Sequence, residues 1–206
     1  MNTADFVTQF PLRSYTKGQV ILSEDETVEM LLFVTSGFVK VTSLDNAGSE
    51  HMLWIASGDD IVPSEHFFSL HNKVSYFYTA LSPVKAHLVN KAELLSEARK
   101  NPSIMTTIAA SLSDNYDDLL LRIDAIDQSN IHDRLITTLR YLALRFGSGK
   151  MVDLHQINLP LTHQDIAEMI GSTRETTSLE LEKLRSNGTI SYSRSSFVIY
   201  ADKLIV

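Results

Sequence analysis

The sequence predicts an α+β chain, with a roll of short strands, then one long helix, then a winged helix-turn-helix. Three observations carry this. Short β-like runs punctuated by turn residues fill the chain from Phe10 to Leu88. Apolar residues recur at alternating spacings of four and three between Met105 and Ile126. The stretch 161–184 reads as two short helices joined at Gly171. The expected division is 1–100 for the roll, 101–128 for the long helix and a hinge, and 129–206 for the helix-turn-helix domain.

In the first part, Val20-Ile-Leu, Leu31-Leu-Phe-Val, Phe38-Val-Lys-Val-Thr, His51-Met-Leu-Trp-Ile and Val84-Lys-Ala-His-Leu-Val are the expected strands. Gly18, Ser36-Gly37, Asp45-Asn46-Ala47-Gly48 and Ser57-Gly58-Asp59 mark the turns. Evenly spaced short strands of this kind close into a small sandwich or roll.

The long helix opens near Asn101-Pro102-Ser103, since proline is tolerated in a first turn. Met105, Ala109, Leu112, Tyr116, Leu119, Ile123 and Ile126 form a heptad seam, the period that winds two helices together. The alternative is a helix packed on its own roll, a contact that Leu120 and Leu121 can serve. Polar residues in Asp127-Gln-Ser-Asn-Ile then interrupt the seam as a hinge. A further amphipathic helix follows from His132 to Phe146, with Leu135, Ile136, Leu139, Leu142, Ala143 and Phe146 apolar, and Gly147-Ser-Gly149 ends it.

In the helix-turn-helix, Thr162 suits the N-cap of the first helix, with Asp165 three residues on. Ile166, Ala167 and Ile170 give its apolar face, and Gly171 supplies the tight turn. Thr173 caps a second helix whose inner face holds Thr177, Leu181 and Leu184. The second helix of such a unit enters the DNA major groove. Thr189-Ile-Ser-Tyr and Phe197-Val-Ile-Tyr read as two wing strands around Ser193-Arg-Ser-Ser196.

The same stretch resembles the Crp/Fnr family of bacterial transcription regulators, whose members carry a pattern close to L-T-x-Q-D-I-A-x-x-x-G-x-S/T-R-E-T-x-S-R-x-L-x-x-L-x-x-x-G. The matches are Leu161, Thr162, Gln164, Asp165, Ile166, Ala167, Gly171, Thr173, Arg174, Glu175, Thr176, Ser178, Leu181, Leu184 and Gly188. Leu179 departs from it, standing where the family has arginine. The run Leu32-Phe-Val-Thr-Ser-Gly-Phe-Val-Lys-Val with Trp54-Ile-Ala-Ser-Gly-Asp is similar to the family's cyclic-nucleotide-binding-like β-roll. The resemblance implies a parallel dimer helix, and as partners duplex DNA, a second copy of the chain and RNA polymerase.

It also implies DNA contacts for Arg174 and Glu175. Chemistry agrees, because arginine suits guanine O6 and N7 while glutamate accepts from cytosine N4. Their alternative role is to stabilise the helix start. Ser178 lies on the same end of the helix. Thr173, Thr176 and His163 are candidates for phosphate contact, as are Lys183 and, from the wing, Arg194. Leu179 lies off the buried face, where it meets a thymine methyl and cannot read guanine.

Composition sets limits. The net charge of −7 opposes phosphate binding. Residues 1–149 carry 12 basic and 18 acidic residues, while 150–206 carry 6 and 7, so the acid is concentrated upstream. Modest affinity per subunit and a need for dimerisation are expected. No cysteine is present, which excludes thiolate-bound metal and iron–sulfur centres. No apolar run suits a membrane span and no signal peptide opens the chain, so a cytoplasmic protein without membrane contact is expected.

The sensor site is the least legible. Nucleotide-binding members of the family carry a Gly-Glu pair and a later Arg-Ser-Ala run that hold the cyclic phosphate. In 58–80, Pro63-Ser64 occupy the place of the first, no arginine precedes Ser75 or Thr79, and Lys73 is the one Lys or Arg. Cyclic nucleotide is therefore not the expected effector. The cluster Phe67, Phe68, Tyr76, Phe77 and Tyr78 lines an apolar effector pocket or is simply core. His66 and His71 are haem ligands on one reading and solvated histidines on the other. His51 and His87 lack the ligand spacing of a metal-dependent β-barrel oxygenase. The remaining option is no small effector at all. No metal or other cofactor is expected. The function expected is a non-enzymatic, homodimeric DNA-binding regulator; the alternative is a β-roll small-molecule or haem-binding module, or an enzyme, with a helical C-terminus.

Overall fold

The computed structural model describes residues 3–69, 73–148, 154–193 and 196–200. They fall into two compact units, Met1–Ser43 with Trp54–Asp117, and Leu44–Leu53 with Asp118–Val206. This differs from the linear division expected at 100/101 and 128/129. The hairpin Leu44–Leu53 belongs with the C-terminal unit, and the boundary cuts the long helix between Asp117 and Asp118. Within that unit Arg122 of the long helix hydrogen-bonds the hairpin backbone at Met52 and Leu53, a long-range contact that no local pattern announces.

A short helix α1 (Thr3–Val7) precedes the strands β1 (Leu12–Tyr15), β2 (Val20–Leu22), β3 (Met30–Ser36), β4 (Val39–Leu44), β5 (Glu50–Ala56), β6 (Ile61–Val62), β7 (Phe77–Ala80) and β8 (Val84–Asn90). They pair in two sheets, ordered β1-β8-β3-β6 and β2-β7-β4-β5. Leu31, Val34, Val84 and Ala86 from one, and Val39, Val41, Ile55 and Tyr78 from the other, are buried. Gly37 permits the β3–β4 turn at φ 88°, where a Cβ would lie 2.2 Å from the Pro83 carbonyl oxygen. All the expected strands form. The sequence pattern does not signal β1, β6 or β7, nor the helix α2 (Lys91–Lys100), which buries only Leu94 and Ala98 and is started by Asn90.

The long helix α3 (Pro102–Asp127) has one buried line, Ile104, Ile108, Asn115, Asp118, Arg122 and Ala125. The heptad seam lies off it. Tyr116 (61% exposed), Leu119 (44%), Ile123 (63%) and Ile126 (46%) face solvent; Ala109 is also exposed, and Met105 and Leu112 are half-buried. Leu120 and Leu121, candidates for packing on the roll, are exposed instead.

The C-terminal unit continues with α4 (Ile131–Phe146), β9 (Gly147–Ser148), β10 (Leu154–Ile157), α5 (His163–Ile170), α6 (Arg174–Ser186), β11 (Ile190–Ser193) and β12 (Ser196–Tyr200). The strands form one sheet, β11-β12-β10-β9, with Ile190 opposite Ile199 in the wing hairpin. Leu135, Leu139 and Leu142 of α4 share its core with Ile166, Ile170, Leu181, Leu184 and Phe197.

Candidate nucleic-acid interface

The start of α5 is fixed by side chains. Thr162 accepts from the Asp165 backbone N–H, and the Asp165 carboxylate accepts from the Thr162 N–H at 2.8 Å, a complete capping box. The helix stops at Gly171, in the left-handed region at φ 62° and ψ 50°. Thr173 then caps α6, accepting from the Thr176 N–H at 3.2 Å. Thr177, Leu181 and Leu184 bury the inner face, which fixes the outer one.

On that outer face Arg174 and Glu175 are exposed in the first turn of α6, where unpaired backbone N–H groups and the helix dipole favour anions. Leu179 is 66% exposed, off the buried face. The hydroxyls of Thr173 and Thr176 hydrogen-bond each other at 3.0 Å, so capping occupies part of their capacity. Lys183 pairs with Glu180 at 2.6 Å, which holds the Glu180 carboxyl below its ordinary range together with a contact from His132. Arg185 pairs with Glu182 and lies over the Tyr192 ring. His163 opens α5 and comes within 2.9 Å of the Ser178 hydroxyl. Arg194 lies outside the described residues.

Beside this end of α6 runs a cleft. Its walls include Asp45, Glu50 and His51 of the hairpin, and Glu168, Arg174 and Glu175 of the two helices. Asp45 shapes the hairpin turn by accepting from the N–H groups of Ala47 and Ser49, and these bonds with His51 hold its carboxyl below the ordinary range.

Sequence reasoning missed Arg122. It is 2% exposed, and its Nε donates to the Leu53 carbonyl, its Nη2 to those of Met52 and Met169, and its Nη1 to the Thr138 hydroxyl. Burial lowers its pKa, yet a guanidinium stays charged, so carbonyl dipoles carry the charge. Met169 lies in the last turn of α5, at the negative end of that helix. The sequence signal was the polar line Asn115, Asp118, Arg122, each one residue before a seam position and so about 100° around the helix from it. Asp118 also pairs with Arg145 of α4 at 2.7 Å.

The candidate effector residues differ in burial. Phe67 and Tyr78 are core, His66 is buried, Phe68 is 56% exposed and Tyr76 is half-buried. His71 lies outside the described residues. The Tyr78 hydroxyl donates to Glu65 at 2.6 Å, and burial, ahead of that carboxylate, drives its pKa far up. Glu65, next to Pro63-Ser64, lies within the 3-10 turn Ser64–His66. His87 bonds the Phe10 carbonyl at 2.8 Å and His51 contacts Asp45. Among the described residues no helix is long and apolar enough to cross a membrane.

Two family models match the chain, a Crp-like helix-turn-helix domain over residues 133–204 and a cyclic nucleotide-binding domain over 12–101. The chain is 25% identical to the global nitrogen regulator of Nostoc sp. over 191 residues, 92% of this chain and 85% of that protein. It is 23% identical to the cAMP-activated global transcriptional regulator CRP of Pasteurella multocida, over 96% of this chain and 94% of that one. The solved structure of FixK2 from Bradyrhizobium japonicum superposes with a TM-score of 0.79 at 19% identity, covering 95% of each chain.

Proposed function

We propose that this chain, which belongs to the Crp/Fnr family of bacterial transcription regulators, reads a near-palindromic duplex as a cytoplasmic homodimer. The observation that carries the DNA reading is the double-capped helix-turn-helix with Arg174 and Glu175 exposed at the open end of α6. Arg174 reads guanine, Glu175 accepts from cytosine, and Ser178 and Leu179 extend the contact along the groove. Thr173, Thr176, His163 and Lys183 lie toward phosphate. The solvent-facing seam of α3 supports the homodimer, since Tyr116, Leu119, Ile123 and Ile126 leave an apolar stripe that a second copy covers. A dimer presents two α6 helices, so that two half-site contacts add where the acidic charge leaves one subunit with weak affinity. Once bound, it acts on transcription through RNA polymerase and carries out no chemistry itself.

The β-roll does not use cyclic nucleotide, unlike the relative whose name says it is cAMP-activated. The absence of arginine from 58–80 and the engagement of Glu65 by Tyr78 support this. The test of the DNA reading is a gel shift of the full chain on a selected duplex against a scrambled one. The wild type should prefer the selected duplex, and Arg174→Ala should narrow that preference by relaxing one base pair; equal binding of both duplexes by wild type contradicts the reading.

A further inference from the structure

We infer that His163 is a positioning residue for base reading, which orients the Ser178 hydroxyl and, on protonation, turns it from an acceptor into a donor toward DNA. The inference deepens the reading of α6 as the recognition helix and rests on it. His163 Nδ1 lies 2.9 Å from Ser178 Oγ, bridging the first residue of α5 to the second turn of α6. Ser178 sits four residues after Arg174, hence on the same side of the helix. The ring is held edge-on against Tyr192 at 5.3 Å, and Tyr192 stacks on Phe197. The hydroxyl thus has a partner fixed by the wing before any DNA arrives.

The neutral imidazole can accept the Ser178 proton at Nδ1, which leaves the Oγ lone pairs for the groove. The imidazolium carries N–H on both nitrogens and only donates, which frees the Ser178 O–H. An acceptor suits the amino groups of adenine or cytosine, while a donor suits guanine O6 and N7, thymine O4 or a phosphate oxygen. The charged and titratable groups facing the ring are Arg174 and Glu182 from α6 and Tyr192 from β11. Burial first, and Arg174 second, hold the His163 pKa below its ordinary value, with Glu182 opposing. The ring is therefore neutral at pH 7.5, and the change falls on the acid side.

The experiment is selection from a random duplex pool with the full chain at pH 7.5 and at a pH one unit below the His163 midpoint, which an NMR titration of its ring C–H signals fixes first. At the base pair next to Ser178, adenine or cytosine should give way to guanine or thymine on acidification. His163→Ala, and the polar but non-titrating His163→Gln, should each lose the pH-dependent part of the base preference and keep the part due to Arg174, with any lost phosphate contact weakening all duplexes alike. Ser178→Ala should lose the same part. An unchanged preference at the two pH values, or a shift that survives in both His163 variants, overturns the inference. A wild type that selects no sequence at pH 7.5 overturns the recognition-helix reading instead, and the inference with it.

Discussion

Arg122 Nη2 donates to the Met169 carbonyl at 2.6 Å, joining the long helix α3 to the last turn of α5. The same guanidinium holds two carbonyls of the hairpin, Met52 and Leu53, and the Thr138 hydroxyl of α4. One side chain thus fixes three elements around the helix that supports the recognition helix. Its planar fork allows this, and lysine has no equivalent geometry.

Removing that fork should be costly. In Arg122→Met the carbonyls of Met52, Leu53 and Met169 lose a buried donor, at about 1–3 kcal/mol for each group left unsatisfied. Urea denaturation of the full chain should show a loss of at least about 3 kcal/mol, with Arg122→Lys recovering little of it. A midpoint equal to wild type would mean that water or repacking satisfies these carbonyls.

The seam makes a separate prediction. Leu119 and Ile123 face solvent within one chain, so Leu119→Glu with Ile123→Glu should leave the fold intact and give monomers in analytical ultracentrifugation. A double variant that remains dimeric would place the interface elsewhere. Far-ultraviolet circular dichroism should be unchanged.

The recognition helix predicts unequal effects among its cations. Arg174→Ala should cost about 1–3 kcal/mol on the preferred duplex and relax one base pair. Lys183 already has Glu180 as a partner at 2.6 Å and must leave it to reach phosphate. Lys183→Ala should weaken all duplexes alike, by less than Arg174→Ala, and lower the salt slope. Leu179→Arg should create a guanine preference at a position that wild type reads weakly or as thymine.

Glu50 shares a cleft with Arg174, so its carboxylate opposes approaching phosphates. Glu50→Gln should tighten binding to any duplex a few-fold at low salt, a gain that shrinks toward physiological salt. Equal affinity of the variant and wild type at low salt would show that the hairpin moves away from α6 before DNA binds.

What the sequence revealed depended on how local the determinants were. The caps Thr162 and Thr173, the turn at Gly171 and the inner line Thr177, Leu181, Leu184 act within a few residues, and each stands where its pattern indicated. Strands with strong apolar runs were equally legible. Strands β1 and β7 and the two-residue β6 were not, because their pairing partners, rather than their own patterns, define them. Arg122 was hidden because its partners lie 16 to 70 positions away and are mostly carbonyls, which have no sequence signature. The aromatic run 76–78 could not be divided between core and surface from sequence alone, because it takes pairing in a strand to send Tyr78 into the core while its neighbours remain half-buried.

The central claim is that two copies of this chain read one duplex through paired α6 helices. Selection from a random duplex pool by the wild-type chain tests it most directly. The account predicts enrichment of a near-palindrome whose half-sites are centred about 34 Å apart, one helical turn of DNA. Enrichment of a single unrepeated half-site, or of no sequence at all, would contradict it.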